Sequence, residues 1–288
     1  MTVAKNSTAV VLGAGLMGRL LACALAQRGH RVEVFDAGGP LAENAAARIA
    51  AAMLAPLAES AVTELPVVRM VEPGIVQGMV EYVTRAVLDL HRDMPQYRRQ
   101  QQRGEWKALP VRPASQRRVG VLGLGSLGQA VLQALQGLGF ACAGWSRSQH
   151  QMDGICCYAG SDELPAFLEK LDVLVCLLPL TDATRGFLNA DLFSRLPVGA
   201  ALVHVGRGPQ LVTADLLAAL ATGQLSEAVL DVTDPEPLPT AHPLWRHPQV
   251  QITPHIASMT QPLSAAAVVI DNLRRFHAGE PMTGLVDR

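Results

Sequence analysis

The 288-residue sequence lacks an excess of charge of either sign, because 24 basic residues nearly balance 25 acidic ones and leave a formal net charge of −1. A surface so close to neutral gives no electrostatic reason to bind nucleic acid or an anionic membrane. No apolar run approaches the roughly 18 residues of a membrane span, and the N-terminus has no signal-peptide pattern. We therefore expect a cytoplasmic protein without nucleic-acid or membrane partners.

Cysteine is also scarce, with five residues that include the adjacent Cys156 and Cys157. Their spacing forms no paired framework, so reduced thiols are expected, and no metal site is predicted. In contrast, 49% of the residues are hydrophobic, and a chain of this length can bury the core of one large domain or two modest ones.

The most informative segment is 119–128, VGVLGLGSLG, in which an aliphatic run breaks into Gly123-x-Gly125-x-x-Gly128 and continues at helical spacing. This pattern predicts a buried parallel strand, a tight glycine turn and the start of a helix. The three glycines permit the turn, the approach of a pyrophosphate and close packing of helix on strand. The amide groups at the helix start favour an anion there.

The next strand is predicted at 141–145, after a helix at 127–138, and is followed by Ser146-Arg147-Ser148. Sites selective for NAD usually carry an acidic residue at this point, and this chain has none. A guanidinium flanked by two hydroxyls suits a ribose 2′-phosphate. We predict a preference for NADP, with NAD as the alternative and a solvated loop arginine as the simpler interpretation of Arg147.

A second glycine pattern lies near the N-terminus, with Gly13, Gly15 and Gly18 between predicted strands and with Asp36 at the end of the second strand. Together with the alanine-rich segment 45–59, this opening resembles the start of FAD-dependent amino-acid oxidases of the glycine oxidase type. The resemblance covers about 65 residues and implies a flavin site. We favour the alternative in which this βαβ half-unit binds no FAD.

Residues 74–103 are predicted to form one long amphipathic helix that serves the core or a subunit contact. After residue 148 the chain alternates between helices and apolar strands, as a doubly wound parallel sheet requires. The predicted helices are 162–171, 189–196, 213–222 and 263–277, and the predicted strands are 172–178, 200–205, 227–232 and 250–253. The expected fold class is therefore α/β, a Rossmann-type dinucleotide-binding sheet preceded by a partial βαβ unit.

Arg207, Glu236 and His255 each follow a predicted strand of this sheet, where ligands of open α/β sheets bind. Arginine can clamp a carboxylate and polarise an adjacent carbonyl. Histidine can donate a proton to an oxygen as hydride arrives at carbon, and a carboxylate orients the imidazole and favours its charged form. Together the three residues predict a site that reduces a 2-oxo acid.

The glycine motif, Arg207-Gly208, Asp231…Glu236-Pro237 and Thr253-Pro254-His255 resemble D-isomer-specific 2-hydroxyacid dehydrogenases over about residues 65–288, most closely the glyoxylate/hydroxypyruvate reductase A group. The resemblance implies that Arg207 binds the substrate carboxylate, that His255 is the acid/base and that Glu236 is its partner. It also implies a set of dinucleotide-binding residues, namely Gly123, Gly125, Ser126, Leu127, Gly128, Trp145, Ser146, Arg147, Leu178, Pro179, Val205, Gly206 and Asp231. Among these, Val205, Gly206 and Asp231 are expected around the nicotinamide.

The first 65 residues depart from that family, whose N-terminal segment forms a substrate domain. We therefore divide the chain into an FAD-type half-unit (1–65), a long helix and linker (66–111), a dinucleotide-binding domain (112–262) and a C-terminal helix and tail that return to the N-terminal region (263–288). In this interpretation the substrate domain is replaced. The leading hypothesis is an NADPH-dependent 2-oxo-acid reductase, expected to be a homodimer. The alternatives are an FAD-dependent oxidase fragment and an inactive dinucleotide-binding module.

Overall fold

A computed structural model describes residues 8–12, 26, 31–35, 68 and 73–285. It contains two compact units, one formed by the residues up to 75 together with those from 259 onward, and one formed by residues 76–258. In the described residues the strands are β1 (Thr8–Leu12), β2 (Arg31–Phe35), β3 (Arg118–Leu122), β4 (Ala141–Ser146), β5 (Cys156–Ala159), β6 (Val173–Cys176), β7 (Ala200–His204), β8 (Leu225–Leu230) and β9 (Val250–Ile252). The α-helices are α1 (Pro73–His91), α2 (Met94–Arg103), α3 (Ser126–Gly137), α4 (Gly160–Leu168), α5 (Ala190–Ser194), α6 (Thr213–Thr222) and α7 (Pro262–Ala278).

The first unit contains β1 and β2, which pair in parallel from Thr8 opposite Arg31 to Leu12 opposite Phe35. This pairing confirms the two N-terminal strands. The predicted glycine turn with Gly13, Asp36 and the segment 45–59 lie outside the described residues, and residue 26, which is helical, is the one described position between β1 and β2. In the same unit Gly279 caps the C-terminal end of α7, and the buried Asn272 of this helix exchanges two hydrogen bonds with the backbone of Thr283, at 2.8 and 3.0 Å.

The second unit is a seven-stranded parallel sheet in the order β5-β4-β3-β6-β7-β8-β9. Strand order reverses at β3, which has β4 on one side and β6 on the other, and such a switch point opens a crevice beyond the carboxyl ends of the strands. Alternate residues of each strand enter two separate hydrophobic clusters, for example Leu174 in one and Val175 in the other. Both faces of the sheet are therefore covered, which explains the almost continuous apolar strands.

The structure confirms the predicted alternation of strands and helices after residue 119, with boundaries that differ by a few residues. It adds one strand that the sequence analysis missed, the edge strand β5, which is short and pairs only with β4 among the described strands. No helix in the described part of the chain combines the length and apolarity needed to cross a lipid bilayer.

The prediction of one continuous helix over 74–103 is wrong, because the segment forms α1 and α2 with a break at residues 92–93. Asp93 adopts a left-handed conformation with φ of 53°, and Pro95 lies in the first turn of α2. Proline has no N–H to continue the preceding helix, and its ring disfavours a helical residue before it. The two helices therefore meet at a proline-induced turn.

The apolar face of α1 packs inside its own chain. Met79, Val83, Val87 and Leu90 are buried and belong to the same hydrophobic cluster as alternate residues of β3, β6 and β7. Of the two roles expected for this helix, the structure supports the core role for these residues. The amphipathic pattern therefore gives no separate argument for a subunit contact.

Candidate active site

The glycine turn after β3 has a different steric requirement at each of its three glycines. Gly123 has φ of +105°, and a Cβ there would lie 2.9 Å from the carbonyl oxygen of Leu177. A Cβ on Gly128 would overlap the carbonyl oxygen of Gly123. A Cβ on Gly125 would instead meet no protein atom within 4 Å. Gly123 and Gly128 therefore have no room for a side chain, whereas Gly125 faces open space.

That open space lies at the start of α3, where the turn is exposed. Gly125 and Ser126 are exposed, Leu127 is half-buried, and Gly125 caps the helix in an extended conformation without a side-chain hydrogen bond. The first amide groups of a helix lack partners within the helix and favour an anion. This cradle fits a pyrophosphate, as the motif predicts.

The end of β4 presents the residues predicted to surround the adenosine ribose. Arg147 is exposed, and it has no hydrogen bond or ion pair within the described residues. The hydroxyl of Ser146 donates to the carbonyl of Ser148 at 2.6 Å. Trp145 lies in the core, stacked on Phe187, and its indole N–H donates to the Gly160 carbonyl. The Trp145 side chain therefore packs in the core behind the strand end, and the Arg147 guanidinium has the charge and geometry that suit a phosphate.

Gln210 joins the ends of β6 and β7, and the sequence analysis missed it. Its amide nitrogen donates to the carbonyls of Leu178 and Pro179 at 3.0 Å each, while its Oε1 accepts the backbone N–H of Arg207 at 2.8 Å. The Gln210 side chain is fully buried. The only sequence signal was its place three residues after Arg207. Because this buried amide bonds to both segments, it holds the backbone after β6 against the backbone after β7 at the edge of the crevice.

Arg207 follows β7 and is half-buried, and its guanidinium donates to the carbonyl of Gly206 at 2.8 Å. Val205 and Gly206 before it are buried. Gly208 after it has no room for a Cβ, which would overlap the carbonyl oxygen of Thr233 in the loop after β8. Arg207 is therefore held beside the loop that carries Glu236.

His255 and Glu236 form a pair, with 3.2 Å between His255 Nδ1 and Glu236 Oε2. The side chains are 30% and 41% exposed, so both reach solvent. His255 has a positive φ of 54°, which is uncommon for a residue other than glycine and marks a constrained turn. With Nδ1 directed to Glu236, the Nε2 atom is the ring nitrogen left to act on a ligand.

Asp231 was expected beside the nicotinamide, but its carboxylate is fully engaged within the protein. It is 2% exposed and accepts hydrogen bonds from the Thr253 hydroxyl and from the backbone N–H groups of Ile256 and Ala257, at 2.6, 2.9 and 2.8 Å. Its backbone carbonyl accepts the N–H of His255 at 2.8 Å. Asp231 therefore holds the turn that carries His255.

His204 ends β7 and is completely buried, with Nε2 in a hydrogen bond of 3.0 Å to the carbonyl of Arg207. Its Nδ1 has no hydrogen-bond partner. Burial lowers the pKa of His204 to about 4, because the charged imidazolium is disfavoured away from water. The residue is therefore neutral near pH 7 and supports the backbone of Arg207.

Sheet register explains why these side chains share one edge. His204 lies opposite Leu230, and Leu230 lies opposite Ile252, so β7, β8 and β9 end side by side. Glu236 and His255 meet directly, whereas the described hydrogen bonds of Arg207 go to neither of them. The glycine turn and the end of β4 lie at the carboxyl ends of the adjacent half of the sheet.

A dinucleotide cradle beside an arginine and a histidine–carboxylate pair defines a nicotinamide-dependent oxidoreductase. Residues 84–257 match the family model for the D-isomer specific 2-hydroxyacid dehydrogenase, NAD binding domain. The chain belongs to this family. Residues 8–83 match a second model, the 3-hydroxyacyl-CoA dehydrogenase, NAD binding domain.

Similar proteins include the glyoxylate/hydroxypyruvate reductase A of Yersinia enterocolitica, 43% identical over 77% of this chain and 71% of that protein. A crystal structure of a D-isomer specific 2-hydroxyacid dehydrogenase from Xanthobacter autotrophicus in complex with NADPH is 43% identical, with a TM-score of 0.77 over 80% of this chain and 95% of that one. The NADPH-dependent glyoxylate/hydroxypyruvate reductase from Sinorhizobium meliloti in complex with NADP is 29% identical, with a TM-score of 0.84 over 98% of each chain.

These comparisons change the interpretation of the N-terminal segment. They do not show the resemblance to FAD-dependent oxidases, because the model that matches this segment describes an NAD-binding domain. The similarity to a complete reductase structure over 98% of both chains also gives no support to a replaced substrate domain. Short glycine motifs with a terminal acid are shared by FAD and NAD sites, which explains the resemblance of this segment to flavin enzymes.

Proposed function

We propose that this protein catalyses the NADPH-dependent reduction of a short 2-oxo acid, of the glyoxylate or hydroxypyruvate type, to the D-2-hydroxy acid. The observation that carries the proposal is the contact of 3.2 Å between His255, which follows β9, and Glu236, which follows β8, beside the strand β7 that presents Arg207. The reductases of Yersinia enterocolitica and Sinorhizobium meliloti named above support the choice of substrate.

The residues of the glycine turn and of the β4 end fit a dinucleotide with a 2′-phosphate. Gly125 leaves the space that a pyrophosphate would fill, and Arg147 supplies a guanidinium without a protein partner in the described part of the chain. Reduced nicotinamide, when bound, supplies the hydride that is transferred to the carbonyl carbon of the substrate.

The remaining chemistry belongs to side chains of this chain. Arg207 binds the substrate carboxylate through its planar guanidinium and polarises the neighbouring carbonyl. His255 donates a proton from Nε2 to the carbonyl oxygen, so that the oxygen becomes the hydroxyl of the product. Glu236 accepts from Nδ1, which fixes the ring orientation and stabilises the imidazolium before the proton is transferred.

The test is oxidation of NADPH at 340 nm by the purified protein after addition of glyoxylate or hydroxypyruvate. The substitution His255→Asn suits the positive φ of this position, since asparagine tolerates it well. We expect kcat to fall by at least about 100-fold, the range of general acid catalysis. Glu236→Gln should lower kcat by about tenfold or more, with the Kd for NADPH unchanged in both variants.

Arg207→Lys keeps the charge but removes the bidentate fork, so KM for the 2-oxo acid should rise by about tenfold or more. His150→Asn is the matched control, because His150 is a partly exposed loop histidine outside the site, and its rates should equal those of the wild type. In the reverse direction, the D but not the L isomer of glycerate should reduce NADP. NADPH binding without turnover of any short 2-oxo acid would contradict the proposal and support the inactive-module alternative.

Location in the cytoplasm and a homodimeric state also remain predictions. Light scattering on the eluting peak of a size-exclusion column measures the mass directly, and 61 kDa, twice the chain mass of 30.6 kDa, is the expected value for a dimer. A peak at the chain mass would contradict the dimer and would leave the proposed reaction untouched.

A further inference from the structure

Tyr82, on α1, contacts the turn that carries His255 although the two residues are distant in sequence. Its hydroxyl lies 2.5 Å from the hydroxyl of Thr253, which is 171 positions later in the chain. Thr253 directly follows β9 and is separated from His255 by one proline. Tyr82 therefore meets the candidate active site from the helix that covers one face of the sheet.

The direction of this hydrogen bond follows from the acceptor at the far end. The buried carboxylate of Asp231 can only accept, so the Thr253 hydroxyl must donate its one proton to Asp231, at 2.6 Å. Because a hydroxyl has a single proton, Thr253 must then accept from Tyr82. The Tyr82 hydroxyl therefore donates to the Thr253 hydroxyl, which in turn donates to the Asp231 carboxylate.

Asp231 connects this series of hydrogen bonds to the backbone around His255. Its carboxylate also accepts the N–H groups of Ile256 and Ala257, and its backbone carbonyl accepts the N–H of His255. Asp231 thus accepts three consecutive amides, two through its carboxylate and that of His255 through its backbone carbonyl. The positive φ of His255 shows that this turn adopts a constrained conformation that the surroundings must maintain.

We propose that Tyr82 is a positioning residue for His255, acting through Thr253 and Asp231. The inference rests on the proposed function for its kinetic consequence, but its structural consequence stands on its own. Removal of the Tyr82 hydroxyl leaves Thr253 free to rotate and to donate elsewhere, and it weakens the hold of Asp231 on the turn. A small displacement of a proton donor from its reacting position is sufficient to lower the rate.

Tyr82 is suited to a fixed donor role. Burial raises the pKa of its phenol above the usual value of 10, so the hydroxyl keeps its proton throughout the neutral range. Arg85 and Asp231 are the charged groups that act on it, in opposite directions, and burial is the larger influence. The Tyr82 hydroxyl can therefore donate its hydrogen bond throughout the neutral pH range in which His255 is proposed to act.

The first test measures amide hydrogen exchange of the segment 254–258 by mass spectrometry, without any substrate. In Tyr82→Phe we expect exchange of this segment to quicken by about threefold or more, because the amides of residues 255–257 donate to Asp231. The matched control is Tyr97→Phe on α2, since the Tyr97 hydroxyl also makes one hydrogen bond, accepting the N–H of Leu109 at 2.9 Å. In Tyr97→Phe the segment 254–258 should exchange as in the wild type.

The second test measures steady-state kinetics with NADPH and a 2-oxo acid. Tyr82→Phe should lower kcat by about three- to tenfold while the Kd for NADPH and the KM for the 2-oxo acid change by less than about twofold. Thr253→Val, which removes the middle hydroxyl, should lower kcat by at least as much. Thr253→Ser, which retains it, should lose clearly less than Thr253→Val.

The outcomes separate the inference from the proposed function. Unchanged exchange in Tyr82→Phe, or a kcat equal to that of Tyr97→Phe, overturns the positioning role. A loss of thermal stability in Tyr82→Phe with wild-type kcat also overturns it, because that result describes a purely structural residue. Faster exchange in a protein whose wild type has no turnover supports the positioning role and contradicts the reductase proposal instead.

Discussion

Gly128 lies against the carbonyl oxygen of Gly123 so closely that a Cβ on Gly128 would overlap it. This contact joins the first turn of α3 to the end of β3 and sets the shape of the dinucleotide cradle. Gly125, between the two, has open space on the side where its Cβ would stand. The same short motif therefore contains glycines required by the protein and one glycine that only a ligand would require.

This contrast predicts different outcomes for two alanine substitutions. Gly128→Ala should destabilise the protein by about 1–3 kcal/mol, because backbone must shift to admit the methyl group. Gly125→Ala should leave the melting temperature within about 2 °C of the wild type but raise the Kd for NADPH by about tenfold or more, because the methyl group fills the cradle. Calorimetry and fluorescence titration measure the two quantities. An equal Kd for NADPH in Gly125→Ala and the wild type would contradict a pyrophosphate site beside Gly125.

Arg147 provides a test of dinucleotide choice. Its guanidinium is exposed and has no partner in the described part of the chain, so its substitution costs the free protein little. Arg147→Ala should raise the Kd for NADPH by about tenfold or more, because a charge-assisted contact to the 2′-phosphate is lost. The Kd for NADH, which has no 2′-phosphate, should change by less than about twofold. Arg185, another charged residue outside the cradle, is a suitable control as Arg185→Ala. Equal weakening of NADPH and NADH would exclude a 2′-phosphate contact.

His204 gives a prediction about stability and pH. Burial lowers the pKa of His204 to about 4 in the folded protein, against 6.5 for an ordinary histidine. The unfolded chain therefore binds a proton at His204 more readily than the folded protein does. The free energy of unfolding is unaffected by protonation of this residue above pH 6.5, and it decreases as the pH falls from 6.5 towards 4. The loss amounts to roughly 3 kcal/mol, at about 1.4 kcal/mol for each pH unit between the two values.

His204→Asn should flatten the acid limb of the stability curve, which urea unfolding between pH 4 and pH 7 measures. Asparagine has no group that titrates in this range. His150→Asn should unfold along the wild-type curve, because His150 is partly exposed. A His204→Asn variant that follows the wild-type pH dependence would show that other groups control acid stability.

Local sequence patterns were sufficient for most of the sheet, because each βα step carries its own signal. The apolar runs before Gly123 and after Asp172 predicted β3 and β6, which are buried on both faces as such runs require. The strand β5 gave a weaker signal, since it is a four-residue edge strand with two cysteines. Pro95 was a local signal for the break between α1 and α2, and its effect outweighed the helical periodicity around it.

Local sequence patterns also located some of the site residues, whereas the direction of other side chains depended on the fold. Arg207, Glu236 and His255 were found because each follows a predicted strand, and the structure brings Glu236 and His255 into contact. Trp145 was assigned to the dinucleotide site from the resemblance to the reductase family, and its ring lies in the core. A strand end alternates between inward and outward side chains, and the sequence does not specify which residue is the last to face the core.

The sequence by itself determined that this protein is a parallel α/β sheet with a dinucleotide turn and with an arginine, a glutamate and a histidine at strand ends. These features follow from hydrophobic periodicity and from glycine, which act over a few neighbouring residues. Only the tertiary structure decided that Asp231 holds the His255 turn, that Gln210 joins β6 to β7 and that Tyr82 reaches Thr253 across 171 residues. Such contacts depend on how helices pack on the finished sheet, and no local pattern encodes that packing.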